Sequence, residues 1–276
     1  MALARRYAKA NARLILNGRN PARLHQAKAT LLEEGLVKAP ADCLVLPADL
    51  TKKDEVTLMI EKAFGHFERI DVLINVAGII EVGPIENQSI EIFEKTMQTN
   101  FFSAVYTIGA ALPRLLQQRP LDSEGAHSKH RASIVNISSI GGKMAVPHLL
   151  PYTASKFALT GFSEGLHAEV RAKGVRVTTV CPGLMRTGGE NRATFVGNVR
   201  KEKAWFLVSA KTPGISTSVA HAADRIFHAQ QRGEAEIIIS PQAWLAARLT
   251  GVAPGAVGIV SSLVNEYLLP APTAKS

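Results

Sequence analysis

Acidic residues are missing from the start of this chain: none occurs before Glu33, whereas Arg5, Arg6, Lys9, Arg13, Arg19, Arg23 and Lys28 all do. Cysteine is nearly absent, with Cys43 and Cys181 the only two in 276 residues, each inside an apolar run. That excludes a disulfide-built scaffold and fits a reducing compartment, the cytoplasm first, where free thiols act as small buried hydrophobes. No run of 18 apolar residues exists, so no segment is expected to cross a bilayer as one helix. Low-complexity tracts and fixed-period repeats are also missing, and an apolar share of 46% with 21 Gly and 14 Pro is that of an ordinary globular protein. At this length a substantial core fits in one domain spanning residues 1–276.

Basic residues outnumber acids 32 to 23, a net charge of +9, but they are dispersed and not interleaved with aromatics, which argues against nucleic acid as a partner. The Arg-rich, acid-poor opening has the look of a mitochondrial presequence. Serine is absent from it, however, and its amphipathic helix runs straight into Leu14-Ile15-Leu16, a strand-like stretch followed by a turn. A structural helix is the favoured reading, with a mitochondrial address as the alternative. Residues 241–276 form an apolar helical extension, whose core "GVAPGAVGIVSSLV" runs from Gly251 to Val264. A core or dimer-packing helix is favoured there over a peripheral membrane contact.

Apolar β-branched runs alternate with helical patterns along the chain. Strands are expected at Arg13 to Leu16, Cys43 to Pro47, Val72 to Asn75, Ser133 to Ile137, Val175 to Cys181 and Glu236 to Ile239. Helices are expected at Pro21 to Glu34, Lys53 to Phe67, Ile90 to Gln118 and Tyr152 to Lys173. Parallel strands need crossovers, so strict alternation implies an α/β fold with a parallel sheet covered on both faces. Ligands bind such sheets at the carboxyl ends of the strands. The polar stretch Pro120 to His130 reads as a surface loop without chemistry, and the irregular stretch from Thr187 to Gly214 follows a strand end, where it would cover a substrate.

"PYTASK" places Tyr152 and Lys156 four apart at a helix start, on one face. Thirteen residues before Tyr152, an expected strand ends in Ser138-Ser139-Ile140-Gly141-Gly142, which puts hydroxyls at a carboxyl strand end. Hydroxyl, phenol and ammonium together suit proton exchange with an oxygen on carbon. A free phenol has a pKa near ~10 and is a poor base at neutral pH; an ammonium one turn away would favour the phenolate, each pH unit being worth ~1.4 kcal/mol.

With these residues the chain resembles the short-chain dehydrogenases/reductases over nearly its whole length. "YTASK" matches the family's Tyr-x-x-x-Lys and "NISSIGG" its serine strand end; "NVAG" from Asn75 to Gly78 is similar to Asn-Asn-Ala-Gly, with Val76 in place of the second Asn. "ADLT" looks like the acidic strand end that holds adenine, "TNF" supplies Asn100, and "CPGLMRT" gives Pro182-Gly183 followed by Thr187. The resemblance implies a Rossmann-like, doubly wound three-layer fold and an oxidoreductase that moves hydride between a nicotinamide cofactor and a carbonyl or secondary alcohol. It makes Tyr152 the general acid in reduction and the base in oxidation, with Ser139 holding the substrate oxygen. It makes Lys156 the group that lowers the Tyr152 pKa and binds the nicotinamide ribose, and Asn100 the holder of a relay water. Cofactor contacts fall on Arg19, Asp49, Leu50, Asn75, Ala77, Gly78, Tyr152, Lys156, Pro182, Gly183 and Thr187, and no metal is called for. A homo-dimer or tetramer through the two long helices is implied in the same way. A non-catalytic ligand- or partner-binding protein of the same fold is the alternative.

The turn after Leu16 sets the cofactor. An acid there would receive the ribose 2′-OH of NAD; here Gly18 takes its place and Arg19 follows, which favours NADP. Asp49 also reads as a cap for the helix at Lys53. Phe195, Trp205, Phe206 and Leu207 suggest an apolar substrate body, or packing against the core.

One part of the family pattern is missing. A first strand and a glycine-rich turn lie ahead of the first helix in the family, and neither is present before "ALARRYAKA". The turn brings backbone N–H groups and a helix N-terminus to the pyrophosphate, and the missing strand would lie between those at Arg13 and Val72. Weak or no NADP binding is therefore expected of this chain. The complete downstream set favours a start roughly 10–20 residues further upstream over a shortened natural form or a substitute segment.

Overall fold

The computed structural model describes residues 1–121, 130–186, 193–211 and 216–273. Helix α1 (Ala2–Ala8) leads into strand β1 (Leu14–Gly18) and helix α2 (Pro21–Glu33). The Asn20 side chain caps α2 by accepting from Arg23 N–H at 3.0 Å, and Pro21 begins the helix where its missing N–H costs nothing. Strand β2 (Cys43–Pro47), helix α3 (Lys53–Phe67), strand β3 (Val72–Asn75) and the short strand β4 (Glu81–Val82) follow. Helix α4 (Ile90–Met97) passes through a π-helical turn, Gln98–Phe102, into helix α5 (Ser103–Gln117). Then come strand β5 (Ala132–Ile137), helix α6 (Leu150–Val170), strand β6 (Val175–Pro182), and the two-residue strands β7 (Met185–Arg186) and β8 (Thr194–Phe195). Helix α7 (Val199–Lys211), strand β9 (Thr217–Ser218), helix α8 (Val219–Arg232), strand β10 (Glu236–Ile239) and helices α9 (Pro241–Val252) and α10 (Pro254–Tyr267) complete the chain.

All paired strands run parallel. Four form one ladder in the order β10-β6-β5-β3, and β1 pairs with β2 apart from it. Among the described residues no strand bridges β1 and β3. Leu14 and Leu16 of β1 nevertheless share one apolar cluster with Val72 and Ile74 of β3, and Leu3 of α1 packs among them.

Side-chain alternation along the strands builds two cores. Ile134 and Val177 face α3, α5 and α6, packing with Phe64, Ile108, Ala111 and Leu166. Val135 and Val180 point the other way, onto Ala222, Ile226 and Ala229 of α8. This is the α/β three-layer, doubly wound, Rossmann-like arrangement expected from the alternation. Helix α1 is docked against α8: Tyr7 Oη donates to Gln230 Oε1 at 3.2 Å, and Arg6 bonds Asp224 at 2.7 Å while covering the Phe227 ring.

Strands β2, β3 and β10 have the expected bounds, while β1, β5 and β6 differ by a residue or two. The expected helix Ile90 to Gln118 is two helices, because the wide π turn interrupts the ladder. Helix α8, absent from the expectation, is capped by Ser218, which accepts from His221 N–H at 3.2 Å, and ends at left-handed Gly233. The stretch read as irregular from 187 to 214 contains α7; residues 187–192 and 212–214 of it lie outside the described residues, as do 215, 122–129 of the polar loop and 274–276.

Candidate active site

Strand β5 delivers the first functional group. Ser138 and Ser139 leave its carboxyl end on opposite faces. Ser138 turns into the protein, bonding Thr160 Oγ1 at 2.7 Å and donating to Lys156 O at 3.1 Å. Ser139 caps a 3-10 turn, Ile140–Gly142, its Oγ accepting from Gly141 N–H at 3.1 Å. Gly142 must be glycine: a Cβ there would lie 2.5 Å from Thr160 Oγ1 and 2.6 Å from Lys156 O. This close approach fits the serine turn onto α6.

Helix α6 supplies the other two groups from its first turns. Half-buried Tyr152 stands beside the serine turn: a Cβ on Gly141 would lie 3.3 Å from Tyr152 Cε1 and 3.6 Å from Ser139 Oγ. Burial pushes the Tyr152 pKa up from the ordinary phenol value, and the neighbouring Ser139 hydroxyl only partly opposes this. Lys156, 4% exposed, donates to Ile137 O at 2.8 Å and lies 5.7 Å from the Tyr152 ring centroid. Burial lowers its pKa to about 8. The expectation that Lys156 holds the Tyr152 phenol below its ordinary range is therefore not met in this structure. The ammonium donates to the Ile137 carbonyl, and desolvation is the largest influence on the phenol.

The three groups nevertheless converge. Gly78, at the exposed end of the "NVAG" turn, stands beside them: a Cβ there would lie 3.6 Å from Lys156 Nζ and 3.4 Å from Asn100 Oδ1. Asn100 comes from the π turn, the kind of helix irregularity that often marks a functional position. Its side chain is 1% exposed and heavily engaged, accepting from Ile79 N–H at 2.7 Å and donating to Ile79 O and Ser155 Oγ at 3.0 and 2.9 Å. It fastens the turn after β3 to α6.

Asn75 turns inward as well. Its Nδ2 donates to Asn136 Oδ1 at 2.8 Å across the β3–β5 ladder, and its Oδ1 accepts from Thr107 at 2.6 Å. Asn136 Nδ2 donates onward to Ser163 Oγ at 2.8 Å. This buried chain joins α5, β3, β5 and α6 just beneath the serine and tyrosine. Sequence reasoning missed Thr107, Asn136 and Ser163; the signal was an amide inside an otherwise apolar strand, which a buried sheet tolerates only with partners.

At the other end of the site, exposed Arg19 follows β1 and Asp49 follows β2. Asp49 accepts from Thr51 N–H at 3.0 Å and from its hydroxyl at 2.8 Å. The Thr51 amide first, then its hydroxyl and the Arg19 and Lys52 charges, hold the Asp49 carboxyl below its usual range against burial. It does not cap α3 as expected: Lys52 occupies the cap position, without a side-chain bond. Leu50 packs on the core and Ala77 is exposed. Pro182 ends β6, and Gly183 sits against α9, where a Cβ would lie 2.6 Å from Ser240 Oγ. Thr187 lies outside the described residues. The aromatic residues of β8 and α7 pack on one another, the Phe206 ring lying 5.8 Å from those of both Phe195 and Trp205.

A parallel three-layer sheet with a serine, tyrosine and lysine gathered at its carboxyl edge defines the class: a Rossmann-type oxidoreductase. The short chain dehydrogenase family model matches residues 1–194, and the chain belongs to that family. It is 30% identical over 255 residues to Dehydrogenase/reductase SDR family member 7B of Bos taurus, covering 91% of this chain and 73% of that one. The 3-ketodihydrosphingosine reductase of Bacteroides thetaiotaomicron is 38% identical over 144 residues, 52% of this chain and 49% of that one. In fold, a short-chain dehydrogenase from Streptomyces avermitilis matches 96% of this chain and 90% of its own, with a TM-score of 0.76 at 23% identity.

The family implies a nicotinamide cofactor, NAD or NADP. The residues fit its ribose end, because the buried Lys156 ammonium carries three protons and directs one of them to Ile137 O, on the side of Gly78 and the exposed turn.

Proposed function

We propose that the protein moves hydride between NADP(H) and an apolar carbonyl compound or secondary alcohol, with Tyr152 exchanging the proton at the substrate oxygen. The observation that carries this reading is the placing of Ser139 and Tyr152 side by side at Gly141, with Lys156 one helical turn further on. Ser139 holds the substrate oxygen and Tyr152 gives it a proton. Burial keeps the phenol protonated at neutral pH, which suits a proton donor and favours reduction. Such general acid catalysis is worth about 10²–10⁴-fold. Lys156 binds the nicotinamide ribose hydroxyls, and Asn100 keeps the "NVAG" turn against α6. The bound nicotinamide would supply or accept the hydride at the substrate carbon.

Arg19 supports NADP over NAD, since its guanidinium suits a 2′-phosphate better than a free hydroxyl. The name of the Bacteroides relative is that of a ketone reductase, which agrees with a carbonyl substrate. The test of the reaction is NADPH oxidation by protein expressed from its full genomic reading frame, over a panel of ketones and aldehydes. Turnover with NADPH well above that with NADH, inverted by Arg19→Asp, supports the reading. No turnover on any carbonyl favours the non-catalytic alternative.

A seat on a bilayer surface is the second part of the proposal. Helix α10 buries none of its residues, and Ile259, Val260, Leu263 and Tyr267 are exposed along it. No single described helix is long and apolar enough to cross a membrane, though α9 and α10, bent by 119°, pass that test as a pair. Flotation with liposomes, lost on deleting residues 241–276, supports contact; equal flotation of both forms refutes it. Pairing of copies through α5 and α6, where Phe157 is exposed, and a cytoplasmic location, consistent with free Cys43 and Cys181, complete the proposal.

A further inference from the structure

Glu202, in the first turn of α7, is fully buried. Its carboxylate is bound from two sides: His148 Nδ1 approaches Oε1 at 2.9 Å and Oε2 at 3.0 Å, and Trp205 Nε1 donates to Oε2 at 2.6 Å. A carboxylate taken out of water persists only where such partners replace its hydration. His148 is not part of α7. It stands immediately before the cap of α6, four residues ahead of Tyr152, at a φ of +63° that is uncommon outside glycine. Its own carbonyl is held by Gly83 N–H at 2.8 Å, just past β4. The same β4 pairs with β8, at the other end of the covering segment.

One buried carboxylate therefore ties α7 to the residue that sets how the chain enters α6. We propose that the Glu202–His148 contact, completed by Trp205, is a latch that docks α7 on the start of α6 and holds Tyr152 in place beside Ser139. His148 and Glu202 are positioning residues in this account, since neither touches the reacting atoms. The positioning of Tyr152 rests on the oxidoreductase reading; the docking of α7 does not.

Hydrogen–deuterium exchange on the full chain separates the two. In Glu202→Ala and in His148→Gly, which removes the imidazole but tolerates the left-handed backbone, amides of 148–156 and 199–208 should exchange about tenfold faster while those of β5 do not. Trp205→Phe, which deletes a single donor, should loosen the same segments less. Glu202→Gln should restore protection, because its amide oxygen still accepts from Trp205 and its amide nitrogen can donate to a neutral imidazole. Unchanged exchange in α7, an equal rise throughout β5, or a Gln variant as loose as the Ala variant would each overturn the latch. On a ketone that the unaltered protein reduces, Glu202→Ala should lower kcat at least tenfold, with Glu202→Gln recovering most of it. Loosened segments with unchanged kcat would overturn the positioning role. An unaltered protein that reduces no carbonyl would overturn the oxidoreductase reading and leave the latch to be judged on exchange alone.

Discussion

Lys156→Met should make the protein more stable at neutral pH. The lysine is 4% exposed, and burial lowers its pKa from 10.5 to about 8. Below both values the group is charged folded and unfolded, and that difference corresponds to about 3 kcal/mol of unfavourable charge burial. Methionine keeps an unbranched apolar stem of similar length, but Ile137 O loses its donor, a loss of about 1 kcal/mol. The net expectation at pH 7 is a gain of about 2 kcal/mol, or roughly 4–8 °C in Tm for a domain of this size. Between pH 8 and 10.5 the unfolded chain holds the Lys156 proton that the folded chain has released, so the unsubstituted protein gains stability as pH rises. The advantage of the methionine variant should therefore shrink from about pH 8 and reverse by about 1 kcal/mol near pH 10.5. Urea unfolding of both proteins at matched pH values measures the difference, in which other titrating groups cancel. A variant less stable than the parent at pH 7, or a difference that does not vary with pH, would refute the reasoning.

Three other outcomes follow from the same geometry. Gly142→Ala, which places a methyl 2.5 Å from Thr160 Oγ1 and 2.6 Å from the Lys156 carbonyl, should destabilise by about 2–3 kcal/mol in chemical denaturation. Asn136→Ala leaves Asn75 Nδ2 and Ser163 Oγ without their partner at the centre of the sheet and should cost about 2–3 kcal/mol, with the urea midpoint falling while the slope stays constant. In carbonyl reduction, kcat/KM should fall above about pH 8, because the free enzyme's Lys156 is charged below that value and neutral above it; a profile flat to pH 9.5 would contradict a role for its charge.

The strands were legible where apolar β-branched runs end in turn residues, as at Val72–Asn75 and Glu236–Ile239. The π turn at Gln98–Phe102 was not, because an apolar period continues on both sides of the wide turn and hides it. Helix α8 escaped because alanines make up much of its buried face, with Ala222, Ala223 and Ala229 flanking Ile226, and alanine gives little contrast. Helix α7 escaped for a sharper reason: one of its buried positions is the charged Glu202, which breaks any apolar period. In the site, Ser139, Tyr152 and Lys156 were recognisable from spacing. The inward turn of Asn75 was not, since it depends on the register that sets it opposite Asn136. The direction of the Tyr152 pKa was likewise out of reach, because it follows first from burial.

The most direct measurement is single-turnover carbonyl reduction by Tyr152→Phe, in protein from the full reading frame with NADPH bound. Removing one hydroxyl beside Ser139 should leave the urea midpoint nearly unchanged and lower the rate of hydride transfer at least about 10²-fold. A variant that folds normally and transfers hydride at the parent rate would contradict the account.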